Sequence, residues 1–149
     1  MNKPQQPTFF VDWCFGKTIV AALHNAGAKV EHHGDHFAPE TPDTLWLPTV
    51  GQRGWIVLTK DKRIGTTLLE SSAIAQGKTC VFTLVSGNLR RQEMADLLVH
   101  ALPKLETFWH QHPAPFIAKL YKDGALKLWR SADQLQSLLS SQSEPLDAQ

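Results

Sequence analysis

Two cysteines, two methionines and a single tyrosine are all that this 149-residue sequence has of those types. Two thiols, Cys14 and Cys80, cannot build a disulfide framework, and neither has a partner at metal-ligand spacing, so the sequence reads as a chain with reduced thiols. An excess of either charge is also missing: 15 Lys and Arg stand against 14 Asp and Glu, a net charge of +1. The balance holds along the chain, with seven of each sign in residues 1–75 and eight basic against seven acidic in residues 76–149. A histone-like or polyanion-coating protein is thereby excluded, although a local basic rim is still compatible with nucleic acid. No apolar run approaches the roughly 20 residues of a membrane helix. The start, MNKPQQPTFF, has no basic region followed by a long apolar stretch, so a soluble cytoplasmic protein with no membrane partner is expected. Internal repeats are absent as well.

What is there is an alternating pattern of short apolar runs and longer periodic segments, in a length that suits one domain. Thr8–Asp12 (TFFVD) reads as a buried strand ending in a carboxylate. From Gly16 to Asn25 the apolar residues recur at helical spacing, and Ala28–His32 follows as a second strand. Residues 33–42 form a polar, proline-broken loop. Asp43, a suitable helix N-cap like Thr41, precedes Leu45, Trp46, Leu47 and Val50. Pro48 predicts that this helix is short or starts late. Trp55–Thr59 (WIVLT) is a third strand, Thr66–Gln76 a helix, Thr79–Val85 a fourth strand and Gln92–Phe108 a long amphipathic helix. Strand–helix repeated four times argues for an α/β domain with a parallel sheet and right-handed crossovers. Phe116–Tyr121 and Ala125–Trp129, joined by Lys122-Asp123-Gly124, predict a β-hairpin.

The placement of the acids is informative. Open parallel sheets bind ligands at the carboxyl ends of their strands, where the strand order reverses. In the common order 2-1-3-4 that crevice opens between strands one and three. Asp12 ends the first, Asp61 follows the third, and Asp43 starts the helix that feeds it. Asp35 and Glu40 lie on the preceding loop. Three carboxylates in one pocket repel each other and invite a cation. Hard oxygen ligands favour Mg²⁺ or Mn²⁺, ions that generate hydroxide and stabilise the oxygens of a phosphodiester under attack. The competing reading is that some of these acids only cap helices or turns. Lys60, Lys62 and Arg63 around Asp61 suit phosphate contacts, or an exposed basic turn.

Other signals fall away. Gly16-Lys17-Thr18 imitates the end of a phosphate-binding loop, but Val11 stands where its first glycine is required. Asp12-Trp13-Cys14 lacks the second aspartate of an aspartyl-phosphate phosphatase, and the paired acids of a receiver domain are missing. His32, His33 and His36 surround Asp35, yet Gly34 argues against the helix that His-x₃-His zinc binding needs. His36 is left to pair with an acid or a phosphate. Trp13, next to Asp12, either packs in the core or stacks a base.

The segments FFVDWCFGKTIVAALHNAG, HGDHFAPETPD, RGWIVLTKDKRIG and VFTLVSGNL resemble the PIN-like domain family, in its compact bacterial branch related to VapC toxins. The resemblance covers roughly Thr8 to Glu106, and the Thr-Lys-Asp-Lys-Arg run at 59–63 is its most specific piece. It implies a three-layer α/β/α PIN-like domain over residues 1–110, with a parallel sheet of order 2-1-3-4. A C-terminal β-hairpin with a short helix packed on it would occupy 111–140, and a disordered tail 141–149. It also implies a divalent-metal ribonuclease, with Asp12, Asp43 and Asp61 as catalytic and metal-binding acids and Glu40 as an alternative ligand. Larger PIN nucleases carry a fourth acid after the next strand, where this sequence has Ser86 and Asn88. Asn88 could ligate through its amide oxygen. Lys60, Lys62, Arg63, His36 and Ser86 would meet the RNA substrate. The resemblance further suggests the toxin of a toxin–antitoxin pair, silenced by an antitoxin protein, and a homodimer. Its rival implication is a non-catalytic module that binds RNA or protein without cutting.

Overall fold

A computed structural model describes residues 3–4, 6–85 and 88–142. The chain runs β1 (Thr8–Val11), α1 (Gly16–Asn25), β2 (Lys29–His32), α2 (Asp43–Gln52), β3 (Ile56–Thr59), α3 (Leu68–Gly77), β4 (Cys80–Val85), α4 (Arg91–Gln111), β5 (Phe116–Tyr121), β6 (Leu126–Arg130) and α5 (Ala132–Gln142). The six strands form one sheet in the order β2-β1-β3-β4-β5-β6. The β2–β1, β1–β3, β3–β4 and β4–β5 pairings are parallel, and only β5–β6 is antiparallel. The expected hairpin therefore exists, and it extends the main sheet by pairing along all of β4. Helix α5 reaches Gln142, two residues into the expected tail. The rest of that tail, 143–149, lies outside the described residues.

Alternation along the strands feeds two cores. Phe9, Val11, Ile56, Leu58, Phe82 and Phe116 face one layer, with Ile19 and Leu23 of α1 and Leu98, Leu105 and Trp109 of α4. Phe10, Val57, Val81 and Ile117 face the other, with Trp46, Leu47 and Val50 of α2, Ile74 of α3 and Leu135 of α5. Strands buried on both faces are why the sequence shows short continuous apolar runs there. The short C-terminal helix docks chiefly against α3.

This layering corrects one expectation. The steps β3–α3–β4 and β4–α4–β5 cross the sheet in the same direction, yet α3 and α4 lie on opposite faces. Their hands are thus opposite. The first three crossovers share one hand and the last is reversed, so the four cannot all be right-handed. The face that an α4 of the common hand would cover is taken by α5.

Pro48 does not shorten α2, which starts at Asp43 and runs through it. The missing N–H deprives only the Thr44 carbonyl, which sits in an exposed first turn where water can serve it. The proline instead belongs to a close helix crossing. A Cβ on Gly77 would come within 2.4 Å of Pro48 Cα, and one on Gly51 within 2.5 Å of the Gly77 carbonyl oxygen. Thr79 Oγ1 locks the crossing by donating to the Leu47 carbonyl at 2.8 Å. With α2 and α3 in such close contact, Asp43 and Glu70 are presented together from their first turns.

Candidate active site

The site lies where strand order reverses, at the carboxyl ends of β1 and β3. Asp12 directly follows β1, and its amide continues the ladder by donating to the Leu58 carbonyl at 2.9 Å. It then caps the 3-10 turn Trp13–Phe15, with Oδ1 accepting from the Trp13 amide at 2.7 Å. Its other oxygen, Oδ2, accepts from Thr59 Oγ1 at 2.7 Å. Thr59 ends β3 and is fully buried. The same hydroxyl accepts from the Asp61 amide at 3.1 Å, so one threonine sets the spacing of both strand-end acids. Asp61 fixes its own turn, with Oδ1 accepting from the Arg63 amide at 2.9 Å. Thr83 of β4 ties that turn down by donating to the Asp61 carbonyl at 3.0 Å.

Asp43 opens α2, and its Oδ1 accepts from Trp46 Nε1 at 2.9 Å. Burial first, then the charge of Asp12, pushes its carboxyl above the ordinary value, with Asp61 adding to the effect. Glu70, in the first turn of α3, behaves alike: burial raises its carboxyl, opposed by the Gly65 amide, and the charges of Asp43 and Asp61 raise it further. Gly65 donates to Glu70 Oε1 at 3.0 Å. Asp43 and Glu70 thus act on each other, the charge of Asp43 disfavouring ionisation of Glu70.

The structure thus brings Asp12, Asp43 and Asp61 within electrostatic reach of one another, and adds a fourth acid that the sequence reading missed. Its signal was the Thr67-Leu68-Leu69-Glu70 spacing, which reads as a helix capping box. Thr67 does cap α3, accepting from the Glu70 amide. The glutamate side chain, however, turns to Gly65 and Asp43 instead of back to its cap. The fourth carboxylate comes from α3, not from the segment after β4. There Asn88 is exposed, and Ser86 lies outside the described residues.

Glu40 is exposed in the turn before α2, with no hydrogen bond to the other acids. His36 is engaged elsewhere, bonded to Glu31 Oε1 at 2.7 Å and edge-on to Trp55. His33 is buried among Phe10, Phe37 and Trp46, and that burial holds its imidazole below the ordinary value despite Asp12 and Asp43. Lys60, Lys62 and Arg63 are exposed beside Asp61, and among the described residues no carboxylate pairs with them. The Lys60 amide instead donates weakly to Cys14 Sγ, 3.5 Å away. Burial raises the Cys14 thiol and pushes that of Cys80 up to about 12, so both stay protonated.

The donor chemistry suits a hard divalent cation, since the charged groups gathered here are all carboxylates. Among the described residues no three His, Cys, Asp or Glu side chains already stand in a ligating arrangement. To hold a cation the carboxyls would have to be ionised and turned towards one another.

A family model described as a PIN like domain matches residues 7–86, more than half of the chain. The chain belongs to the PIN-like domain family. The match contains all four acids, and it ends where β4 ends, before the reversed crossover. PIN-like domains are generally nuclease-type modules. No curated protein and no solved structure gives a significant match.

Proposed function

We propose that this PIN-like domain is a divalent-metal-dependent endoribonuclease centred on Asp12, Asp43, Asp61 and Glu70. The observation that carries the reading is the coupling of four half-buried carboxyls, two at strand ends and two in helix first turns, beside an exposed basic turn that has no acidic partner among the described residues. Asp12, Asp43, Asp61 and Glu70 would hold Mg²⁺ or Mn²⁺, which would activate water and offset charge on the phosphate. Asp12 and Asp61 are held for that task by Thr59 and by the amides of Trp13 and Arg63. Asp43 and Glu70 would have to be ionised to hold the metal, because ligating carboxylates are deprotonated. Lys60, Lys62 and Arg63 receive the RNA backbone, which positions the strand without reading its sequence.

Cleavage of a mixed-sequence labelled RNA in Mn²⁺, Mg²⁺ or EDTA tests this directly. Metal-dependent cutting by the wild type, reduced about 100-fold or more in Asp61→Asn and Glu70→Gln, is expected. A folded wild type that binds RNA or protein but never cuts would make the domain a non-catalytic module. The reading extends to the toxin of a toxin–antitoxin pair. Leu45, Leu68 and Leu69 are 58–73% exposed in the first turns of α2 and α3, an apolar rim that a covering antitoxin would bury. Growth arrest on expression of the wild type but not of Asp61→Asn is the matching outcome.

A further inference from the structure

We propose that Trp13 and the cavity beside it form a stacking site for an unpaired nucleobase of the bound RNA strand. The inference rests on the ribonuclease reading for its ligand class, and the geometry supplies the rest.

Trp13 follows Asp12 directly, and the two are joined by the 2.7 Å bond from the Trp13 amide to Oδ1. The ring is therefore one residue from the acids. It is 50% exposed, an unusual state for an indole in a chain that buries Trp46 and Trp109 almost completely. Exposure has not left it loose. One side stacks on His32, with centroids 5.7 Å apart and planes 30° apart, and His33 meets it edge-on at 6.3 Å. A Cβ on Gly34 would fall 2.4 Å from Trp13 Cζ3, so the ring lies against bare backbone. A half-exposed aromatic fixed by packing loses little side-chain freedom when a base stacks on it, which is how a preorganised site gains affinity.

The cavity at this ring is lined by Trp13, Gly16, Lys17, His32, Gly34 and Asp35 and encloses about 420 Å³, within the range of roughly 300–1,000 Å³ usual for small-molecule sites. Its polar groups discriminate between parts of a nucleotide. The Asp35 carboxylate repels a phosphate but accepts from the N–H groups on a base edge. Lys17, exposed at the first turn of α1, attracts the neighbouring phosphate. His32 is only 6% exposed, and its Nε2 has no hydrogen-bond partner among the described residues. The base lies against Trp13 while its phosphate stays on the side of the acids.

The test is binding in EDTA, where cleavage cannot occur, of a fluorescent mixed-sequence ten-nucleotide RNA and of an abasic ribose-phosphate strand of equal length. Repulsion from the unfilled acids weakens both strands alike, so their affinity ratio isolates the base. The wild type should prefer the base-bearing strand about tenfold or more. Trp13→Ala should abolish the preference with little change on the abasic strand, and Trp13→Phe should restore part of it. Gly34→Val, which displaces the ring without removing it, should act like Trp13→Ala, with circular dichroism confirming that each variant is folded. A preference that survives Trp13→Ala, or no base preference in the wild type, overturns the proposal. A Trp13-dependent preference in a protein that never cuts RNA with metal would leave this site standing and remove the nuclease reading. Cleavage with no role for Trp13 would do the reverse.

Discussion

Asp43 and Glu70 carry the clearest thermodynamic signature in the molecule. Both carboxyls hold their protons more tightly folded than unfolded, so the native state binds more protons across that interval. Stability is then greatest below their unfolded values near 4 and falls as pH rises through the raised native ones. Asp43→Asn removes one of the competing charges and keeps an oxygen for Trp46. Without metal, at pH 7, the variant should melt higher than the wild type by roughly 1–4 °C, and the gap should close towards pH 3. Mn²⁺ should raise the melting temperature of the wild type more than that of the variant, since a ligand that binds only the native state stabilises it. A variant that melts lower at pH 7 would show that the Trp46 bond outweighs the repulsion. Thr59→Val probes the opposite kind of group. Its hydroxyl bridges both strand-end acids from a fully buried position. Its loss should cost about 1–3 kcal/mol in urea unfolding and reduce cleavage as well.

Among the elements, the α2–α3 crossing decides whether Asp43 meets Glu70. Gly77→Ala would force a methyl against the Pro48 backbone, 2.4 Å from its Cα. Neither partner there is a flexible side-chain end. Overpacking of this kind costs about 1–3 kcal/mol, measurable as a lower denaturant midpoint. It should also part the two carboxyls and flatten the pH dependence of stability described above. The same crossing shows why sequence reading went only part of the way. Strands and helices were legible because burial on two faces leaves short apolar runs and burial on one leaves periodic ones. Asp12 and Asp61 were legible because strand ends follow from those runs. Glu70 was not, because its spacing from Thr67 also describes an ordinary helix cap. Pro48 misled for a related reason: its local cost is visible in sequence, but its fit against Gly77, 29 positions later, is not. The hand of the last crossover depends on which face α5 occupies, and no local pattern records that.

For the molecule as a whole, the hairpin and α5 belong to the working part. Gly65, whose amide holds Glu70, has a φ of +78°, and a Cβ there would lie 2.4 Å from Ile117 Cδ1 and 3.7 Å from Trp129. The turn that carries Asp61 thus rests on β5 and β6. Ile117→Ala and Leu98→Ala both truncate fully or almost fully buried side chains, and each should cost about 2–5 kcal/mol. Assayed well below their melting points, only Ile117→Ala should also slow cleavage, because Leu98 packs in the opposite layer. Equal activity in the two variants would separate the turn from its support.

The family match ends at residue 86, but β4 has its outer partner only in β5, thirty residues further on. During synthesis the recognisable part therefore leaves the ribosome with an open edge of unpaired amides and with the Gly65 turn unsupported. The Gly65 turn, whose amide holds Glu70, gains that support only once β5 and β6 have followed. A protein that cuts RNA would in this way be held incomplete for as long as it stays attached to the RNA-rich machine that makes it.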